Sequence, residues 1–192
     1  MNSNSAIIYV VDDDVSVCRA LALLLKSHGF KVETFTRAAS FLAFKHPMAP
    51  SCLILDIRLP NINGFALQEA MTRRGIATPI IFITGYGDIP MSVKAMKAGA
   101  IDFLCKPFTE KKLLNAITLA ISRSKTQNKK QAEIAKIKRR IKTLSPRELE
   151  VFRFVAQGML NKQIASKRGT SIQTIKVHRS RVMYKMQAKT LT

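Results

Sequence analysis

Cysteine is scarce in this chain, which has three in 192 residues. Cys18, Cys52 and Cys105 lie far apart in apolar sequence, and their number is odd. This pattern predicts three reduced core residues and argues against a disulfide-stabilised secreted domain or a cysteine metal site. Histidine is as rare, and neither His28, at a predicted helix end, nor His46, in a proline-flanked loop, suggests catalysis or metal binding.

Long apolar runs are also missing. No run approaches the roughly 18 residues that a membrane-spanning helix needs. The first residues, MNSNS, lack the basic start and the small-residue cleavage site of a signal peptide. We therefore expect a cytoplasmic protein with no membrane partner.

Acidic residues are few, with 12 Asp and Glu against 32 Lys and Arg. Residues 1–123 carry 14 basic against 9 acidic residues, a net charge of +5. Residues 124–192 carry 18 against 3, a net charge of +15. The length fits two modest domains, and the charge of the second indicates either a polyanionic partner such as nucleic acid or a strongly solvated surface.

The first 123 residues alternate β-branched apolar runs with amphipathic helical stretches. This alternation predicts an α/β domain with a doubly wound, five-stranded parallel sheet. The predicted strands are 6–11, 31–35, 52–55, 80–84 and 101–104. Three of them are almost wholly apolar, as expected for central strands covered on both faces, whereas KVETF alternates as a strand nearer an edge does.

Polar side chains stand at the carboxyl ends of four predicted strands. They are Asp12, Asp13 and Asp14 after the first, Asp56 after the third, Thr84 at the end of the fourth and Lys106 after the fifth. Because ligands of such sheets bind outside the carboxyl ends of the strands, we expect these groups to gather in one site. Asp14 is the exception, since an Asp directly before a helix is most simply its N-cap.

Clustered carboxylates repel one another unless a cation lies between them. A few hard oxygen ligands suit Mg²⁺, which commonly bridges carboxylate and phosphate. We therefore predict that Asp56 attacks the phosphorus of a donor, that Lys106 pairs with a phosphoryl oxygen and that Thr84 hydrogen-bonds another.

Residues 5–122 resemble the receiver domains of two-component response regulators. The motifs are VVDDD, LILDIRLPNINGF, IIFITGYGD and AIDFLCKPF, and the stretch GYGDIPMSVKAMKAGAIDFLCKPF resembles the FixJ subgroup. The resemblance implies a flavodoxin-like fold, with Asp56 as phosphorylation site. It also implies that Asp12, Asp13, Asp56 and the backbone carbonyl of Arg58 bind Mg²⁺.

The same resemblance implies three further features. Lys106-Pro107 should be a cis peptide bond, and Gly85 should leave the phosphoryl group accessible beside Thr84. In the family's switch, the threonine moves toward the phosphoryl group together with an aromatic side chain, here Phe103. Phe103 could equally be an ordinary core residue.

The segment 124–142 is polar and basic, yet Ile134, Ile137, Ile141 and Leu144 recur at heptad spacing. This spacing is compatible with a helical linker that dimerises and with a single helix that packs on its own domain.

Residues 143–192 carry the signals of a small all-α domain. Ser145 to Glu148 form a capping box with proline at the first helical position. A short helix is predicted from Asn161 to Arg168, Gly169 makes the turn, and Ser171 caps a third helix. This layout predicts a helix-turn-helix.

The third helix has a core face and an exposed face. Ile175, Val182 and Met186 lie within one arc, and His178 lies near it and is read as structural. The opposite arc holds Gln173, Lys176, Val177, Ser180 and Tyr184.

We assign DNA contacts from these positions. Lys176 can reach a guanine edge, and Val177 can meet a thymine methyl group or can be a stray exposed valine. Four other residues suit phosphate contacts, namely Lys162, Thr174, Arg179 and Arg181. The predicted DNA-binding set consists of Lys162, Thr174, Lys176, Val177, Arg179, Ser180 and Arg181.

The segment resembles the LuxR-type helix-turn-helix through LSPRELEVFRFVAQGMLNKQIA and TIKVHRSRVMYKM. Arg168 and Thr170 depart from the pattern, which places apolar core residues there. The chain also stops at Thr192, before the family's fourth helix, which commonly supplies a dimer contact. The expectation is that dimerisation rests on the receiver surface formed by the fourth helix and fifth strand, helped by the linker.

The function predicted from these parts is phosphorylation-controlled transcription regulation, with activation as the family's expectation. A cognate histidine kinase or a small phosphodonor phosphorylates Asp56 with Mg²⁺, and the phosphorylated chains pair as a homodimer. The dimer binds inverted half-sites of a promoter in double-stranded DNA, with RNA polymerase a further candidate partner.

An enzyme and a binding module that does not read DNA are the two other classes of function for this sequence. No enzyme activity is expected apart from Mg²⁺-dependent autophosphorylation and autodephosphorylation at Asp56. The alternative to DNA reading is a phosphorylation-switched protein- or RNA-binding module without sequence-specific DNA binding.

Overall fold

The structure is a computed structural model that describes residues 6–60, 62–86 and 89–188. The chain divides into two compact units, Met1–Lys129 and Lys130–Thr192. Among the described residues, no helix combines the length and the hydropathy that crossing a membrane requires.

The N-terminal unit contains a five-stranded parallel sheet, as predicted. Its strands are β1 (Ile7–Val11), β2 (Lys31–Phe35), β3 (Ser51–Asp56), β4 (Ile80–Thr84) and β5 (Asp102–Cys105). They lie in the order β2-β1-β3-β4-β5, so the alternating strand KVETF is at an edge. The apolar strands β1, β3 and β4 are central, which agrees with burial on both faces.

Five helices follow the strands in turn. They are α1 (Val15–Ser27), α2 (Ala38–Ala43), α3 (Gly64–Arg73), α4 (Ile89–Lys97) and α5 (Glu110–Ile141). Asp14 caps α1 by accepting hydrogen bonds from the backbone N–H groups of Ser16 and Val17, as its position before the helix predicted. The helix α5 has 32 residues and runs through most of the segment 124–142.

Side-chain alternation along the strands builds a core on each face of the sheet. Ile8 and Val10 point to a core shared with α1 and α5, where Leu25 and Ile117 are fully buried. Tyr9 and Val11 point to the other core, which α2, α3 and α4 cover. The sheet is therefore doubly wound, and the central strands β1, β3 and β4 are buried along most of their length.

The prediction of three core cysteines is wrong for one of them. Cys18 and Cys52 are buried, but Cys105 is exposed. Cys105 ends β5, which pairs only with β4 and forms the other edge of the sheet. Because strand side chains alternate, Leu104 turns into the core and Cys105 turns out of it.

The C-terminal unit contains three further helices, α6 (Pro146–Ala156), α7 (Asn161–Arg168) and α8 (Ile172–Met186). The helices α6 and α8 begin after the predicted caps Ser145 and Ser171, and α7 begins at Asn161 as predicted. Gly169 ends α7 in the left-handed conformation at φ 58°. Five buried apolar residues form the core between them: Val151, Val155, Ile164, Ala165 and Ile175.

The predicted capping box of α6 is present and extends into an ion pair. Glu148 accepts a hydrogen bond from the Ser145 N–H at 2.8 Å, and the Glu148 N–H donates to Ser145 Oγ at 3.3 Å. The ammonium of Lys185 lies 2.6 Å from Glu148 Oε2. The hydrogen bond from Lys185, followed by the one from Ser145, lowers the pKa of the Glu148 carboxyl.

Replacing Glu148 by Gln tests this ion pair. Gln keeps an acceptor for Ser145 but loses the charge that faces Lys185, so we expect α6 to lose about 1 to 2 kcal/mol of local stability at neutral pH. Because the folded pKa is lowered, the contribution is fully present above the ordinary value of 4.5 and is lost as the pH falls through the folded pKa.

Native-state hydrogen exchange at the amides of Val151 and Val155 measures this stability. Wild type and Glu148→Gln should differ at pH 7 and converge under acid conditions, while Glu133→Gln on the exposed face of α5 should behave as wild type. A difference that is constant with pH would contradict the role of the charge.

The close approach of α3 to β3 depends on Gly64. The Gly64 N–H donates to the Ile57 carbonyl at 2.9 Å. A Cβ atom at Gly64 would lie 2.8 Å from the Asp56 carbonyl oxygen and 3.1 Å from both Ile57 Cα and Phe82 Cε1. Only glycine therefore allows this packing without displacing the end of β3.

We expect Gly64→Ala to destabilise the N-terminal unit by about 1 to 3 kcal/mol, as over-packing does elsewhere. Hydrogen exchange at the β3 amides measures the effect within this unit. Gly85→Ala is the matched control, because a Cβ there meets nothing within 4 Å and should change stability by less than about 0.5 kcal/mol. Equal effects of the two substitutions would show that close packing is not the cause.

Candidate functional site

Three carboxylates meet at the carboxyl edge of the sheet. Asp12 follows β1 and is 1% exposed, Asp56 ends β3 and is 8% exposed, and Asp13 is exposed to solvent. One oxygen atom from each lies within 4.8 Å of the others. Strands β1 and β3 are neighbours in register, with Val11 opposite Leu55, so carboxylates 43 and 44 positions apart in the chain come together.

Lys106 is the cation of this cluster. Its Nζ atom lies 2.7 Å from Asp12 Oδ2 and 3.6 Å from Asp56 Oδ2. The Lys106 N–H donates to the Thr84 carbonyl at 2.7 Å, which ties the residue to the end of β4. The Lys106-Pro107 peptide bond is cis, as predicted.

Burial and the neighbouring opposite charge act in opposite directions on the pKa values of Asp56 and Lys106. Burial raises the pKa of Asp56, as does the charge of Asp12, whereas Lys106 acts against this rise. For Lys106 burial favours a lower pKa, but hydrogen bonding and charge from Asp12 and Asp56 outweigh it and raise the pKa. Lys106 thus stays charged beside the carboxylates.

Thr84 ends β4, and Phe103 lies on β5 opposite Phe82, two residues before the position that faces Thr84. Thr84 is fully buried, and its Oγ1 accepts a hydrogen bond from the Tyr86 N–H at 3.3 Å. Phe103 is partly buried against the core that includes Tyr9 and Phe82. Its partial exposure is compatible with a role in the switch and with a role as an ordinary core residue.

The side chain of Arg58 makes a contact that the sequence did not predict. The guanidinium of Arg58 stacks over the ring of Tyr86, with Cζ 4.3 Å from the ring centroid. Arg58 lies two residues after Asp56, and Tyr86 lies two residues after Thr84. The stacked pair therefore joins the two loops that follow β3 and β4, at the rim of the acidic cluster.

The recognition face predicted on α8 is exposed. Ile175, Val182 and Met186 are buried, whereas Gln173, Lys176, Val177, Ser180 and Tyr184 are all exposed. Val177 has 42% of its surface accessible and Tyr184 has 86%. This helix therefore presents polar, basic and apolar groups together on its outer side.

The four residues predicted to contact phosphates differ in their surroundings. Lys162 and Arg181 are exposed, and neither forms an ion pair in the described part of the chain. The hydroxyl of Thr174 hydrogen-bonds the Ser171 hydroxyl at 2.8 Å, and the guanidinium of Arg179 donates to Asn161 Oδ1 at 3.0 Å.

Comparison with known proteins gives two family matches along the chain. Residues 8–118 match the response regulator receiver domain. Residues 142–192 match the bacterial regulatory proteins of the luxR family. The two matches fall on the acidic cluster and on the helix-turn-helix respectively.

Relatives match this chain over nearly its whole length. Nodulation protein W of Bradyrhizobium diazoefficiens is 46% identical over 189 residues, covering 98% of this chain and 83% of the relative. Response regulator protein TmoT of Ectopseudomonas mendocina is 45% identical, covering 100% of this chain and 87% of the relative.

Among solved structures, response regulator StyR matches with a TM-score of 0.80 and 42% identity, covering 97% of this chain and 94% of that protein. The likeness thus extends over both units of the chain, in sequence and in fold. The chain belongs to the response regulators that join a receiver domain to a LuxR-type DNA-binding domain and regulate transcription under the control of phosphorylation.

Proposed function

We propose that Asp56 is the phosphoryl acceptor and that Asp12, Asp13, Asp56 and the carbonyl of Arg58 hold Mg²⁺. The observation that carries this proposal is the convergence of three carboxylates within 4.8 Å beside a single ammonium group. Oxygen donors of this kind suit a small hard cation. When bound, Mg²⁺ supplies positive charge that stabilises the phosphoryl oxygens.

The chain's own residues then perform the transfer. A carboxylate oxygen of Asp56 attacks the phosphorus of a kinase phosphohistidine or a small phosphodonor, and the bond from phosphorus to the donor's leaving atom breaks. Lys106, which already lies within 3.6 Å of Asp56, pairs with one phosphoryl oxygen. The product is an acyl phosphate on Asp56. Attack of water on its phosphorus breaks the bond to the carboxylate oxygen, which releases inorganic phosphate and returns the free carboxylate.

Thr84 and Phe103 transmit the change. The Thr84 hydroxyl donates to a second phosphoryl oxygen, and its displacement leaves space that the partly buried Phe103 ring fills. Both residues lie on strands that end at the site, Thr84 on β4 and Phe103 on the edge strand β5. The switch therefore alters the outer surface of α4 and β5.

That surface is the proposed dimer interface. Ile89, Val93 and Met96 on α4 are exposed, with 80%, 44% and 48% of their surface accessible. Exposed apolar side chains on one helix favour burial against a second copy. The linker residues Ile134 and Ile137 are also exposed and can extend the contact along α5.

The dimer places two α8 helices on inverted half-sites in double-stranded DNA. Lys176, Val177 and Ser180 face base edges, while Lys162, Thr174, Arg179 and Arg181 hold phosphates and set the register. Because promoters of a bacterium lie in the cytoplasm, this function implies a cytoplasmic location. It also makes RNA polymerase the expected partner of an activator.

The first experiment is a pull-down of fragmented genomic DNA with phosphodonor and Mg²⁺ present, followed by sequencing. The wild-type protein should enrich one two-fold motif, whereas Asp56→Asn, which offers no carboxylate nucleophile, should not. Intact-mass measurement of both proteins verifies phosphorylation of the wild type alone. Equal enrichment by both proteins would contradict control by Asp56.

Separate substitutions on α8 and α7 distinguish base reading from phosphate contact. Lys176→Ala should cost about 1 to 3 kcal/mol of binding to the enriched motif and relax the base preference at one position. Lys162→Ala should weaken binding to all sequences alike and reduce the salt slope by about 1. Titration of the motif and of a scrambled duplex at several salt concentrations separates the two effects. A uniform loss in Lys176→Ala would rule out base reading by this residue.

A further inference from the structure

A polar cavity of about 340 Å³ lies within the C-terminal unit, between α6 and the turn that leads into α8. Its polar lining comes from three elements and consists of Arg147, Glu150, Arg168, Thr170, Thr174 and His178. None of these residues has a role in the acidic cluster. Only Thr174 belongs to the proposed DNA-binding set.

The cavity has more positive than negative charge. Arg168 lies 2.7 Å from Glu150 Oε1, and Arg147 lies 3.8 Å from Glu150 Oε2. Over the described ranges, no other carboxylate lies within 4 Å of either guanidinium. One carboxylate therefore faces two guanidinium groups, and one positive charge is left to attract an anion.

Neutral hydrogen-bonding groups accompany this charge. Thr170 and Thr174 place hydroxyl groups in the lining. His178 also lines the cavity, and its Nδ1 atom is buried without a hydrogen-bond partner in the described structure. A buried polar atom without a partner costs free energy, which a ligand or an ordered water can recover.

The remaining lining is apolar. Val151 and Ile175 belong to the core of the unit, and both also border the cavity. A volume of about 340 Å³ lies at the lower end of the range for small-molecule sites, roughly 300 to 1,000 Å³. The combination fits a ligand with one anionic group and a small apolar body better than it fits an inorganic ion.

Arg168 and Thr170 are also the two positions where the sequence departs from the apolar residues of the LuxR-type pattern. Apolar side chains there would extend the small cluster of five buried apolar residues between α6, α7 and α8. Because these positions hold Arg168 and Thr170, the same region lines the charged cavity instead.

We propose that this cavity binds a small organic carboxylate, which joins α6 to the start of the recognition helix α8. The carboxylate pairs with Arg147 and Arg168, and the apolar body rests on Val151 and Ile175. Occupancy adds contacts between the two helices and stabilises the helix-turn-helix. This gives the C-terminal unit a chemical input that does not require phosphorylation of Asp56.

The test is an NMR titration of the full-length protein with benzoate and, separately, with inorganic phosphate. Benzoate should shift the amides of Thr170, Thr174 and His178 saturably, and its affinity should exceed that of inorganic phosphate by at least about tenfold. Amide exchange in α6 and α8 should slow when benzoate is bound.

The variant Arg168→Leu/Thr170→Ile replaces this part of the charged cavity's lining with apolar side chains. It should bind benzoate at least about tenfold more weakly than wild type, while amide exchange in α6 and α8 shows that the unit is folded. Arg139→Leu, which removes one charge from the exposed face of α5, should bind as wild type. Asp56→Asn should also bind as wild type, so the result is independent of the phosphorylation site.

Three outcomes would overturn the proposal. The first is the absence of saturable shifts with millimolar benzoate. The second is unchanged binding by the folded Arg168→Leu/Thr170→Ile variant. The third is equal affinity for benzoate and inorganic phosphate, which would show that the cavity binds anions in general, such as a DNA phosphate.

Discussion

The repulsion among Asp12, Asp13 and Asp56 is the constraint on which the receiver site depends. When all three are ionised, they carry more negative charge than Lys106 neutralises, and Asp12 is almost fully buried. Interactions between charges a few ångströms apart are strong where water is partly excluded. The pocket thus favours the binding of a cation, and the phosphoryl group proposed for Asp56 would need the same positive charge. The proposed metal binding and the proposed phosphorylation are therefore linked through the same excess of negative charge.

The topology of the sheet makes this crowding possible. Strands β1 and β3 are hydrogen-bonded neighbours, and β4 and β5 follow on one side, so four strand ends supply the site. The register matters as much as the order, because a one-residue slip of a strand would turn its side chains to the opposite face. Gly64 adds a second requirement, because only a residue without a side chain lets the start of α3 pack this close to the Asp56 carbonyl oxygen. Asp56, the proposed acceptor, is therefore held in place by backbone packing as well as by charge.

Much of this arrangement could be predicted from the sequence, because it follows from local patterns. The strands 31–35 and 80–84 have the predicted bounds, the first strand differs by one residue at one end, and the third and fifth differ by one residue at both ends. Cys105 was misassigned because an apolar neighbourhood does not reveal which face of an edge strand a residue occupies. The stacking of Arg58 on Tyr86 and the pairing of Arg168 with Glu150 were missed for another reason. Each joins residues 18 or more positions apart, and no periodicity marks such a contact.

The distribution of the few acidic residues explains how the C-terminal unit is both stable and strongly basic. Residues 124–192 contain only Glu133, Glu148 and Glu150 as acids. Glu148 caps α6 and pairs with Lys185, and Glu150 pairs with Arg168, so two of the three form ion pairs that join elements of this unit. The exposed cations Lys176 and Arg181 on α8 are left without an ion pair in the described structure. Because unpaired surface cations attract a polyanion over a Debye length, using the acids for internal pairing leaves the recognition face positive toward DNA.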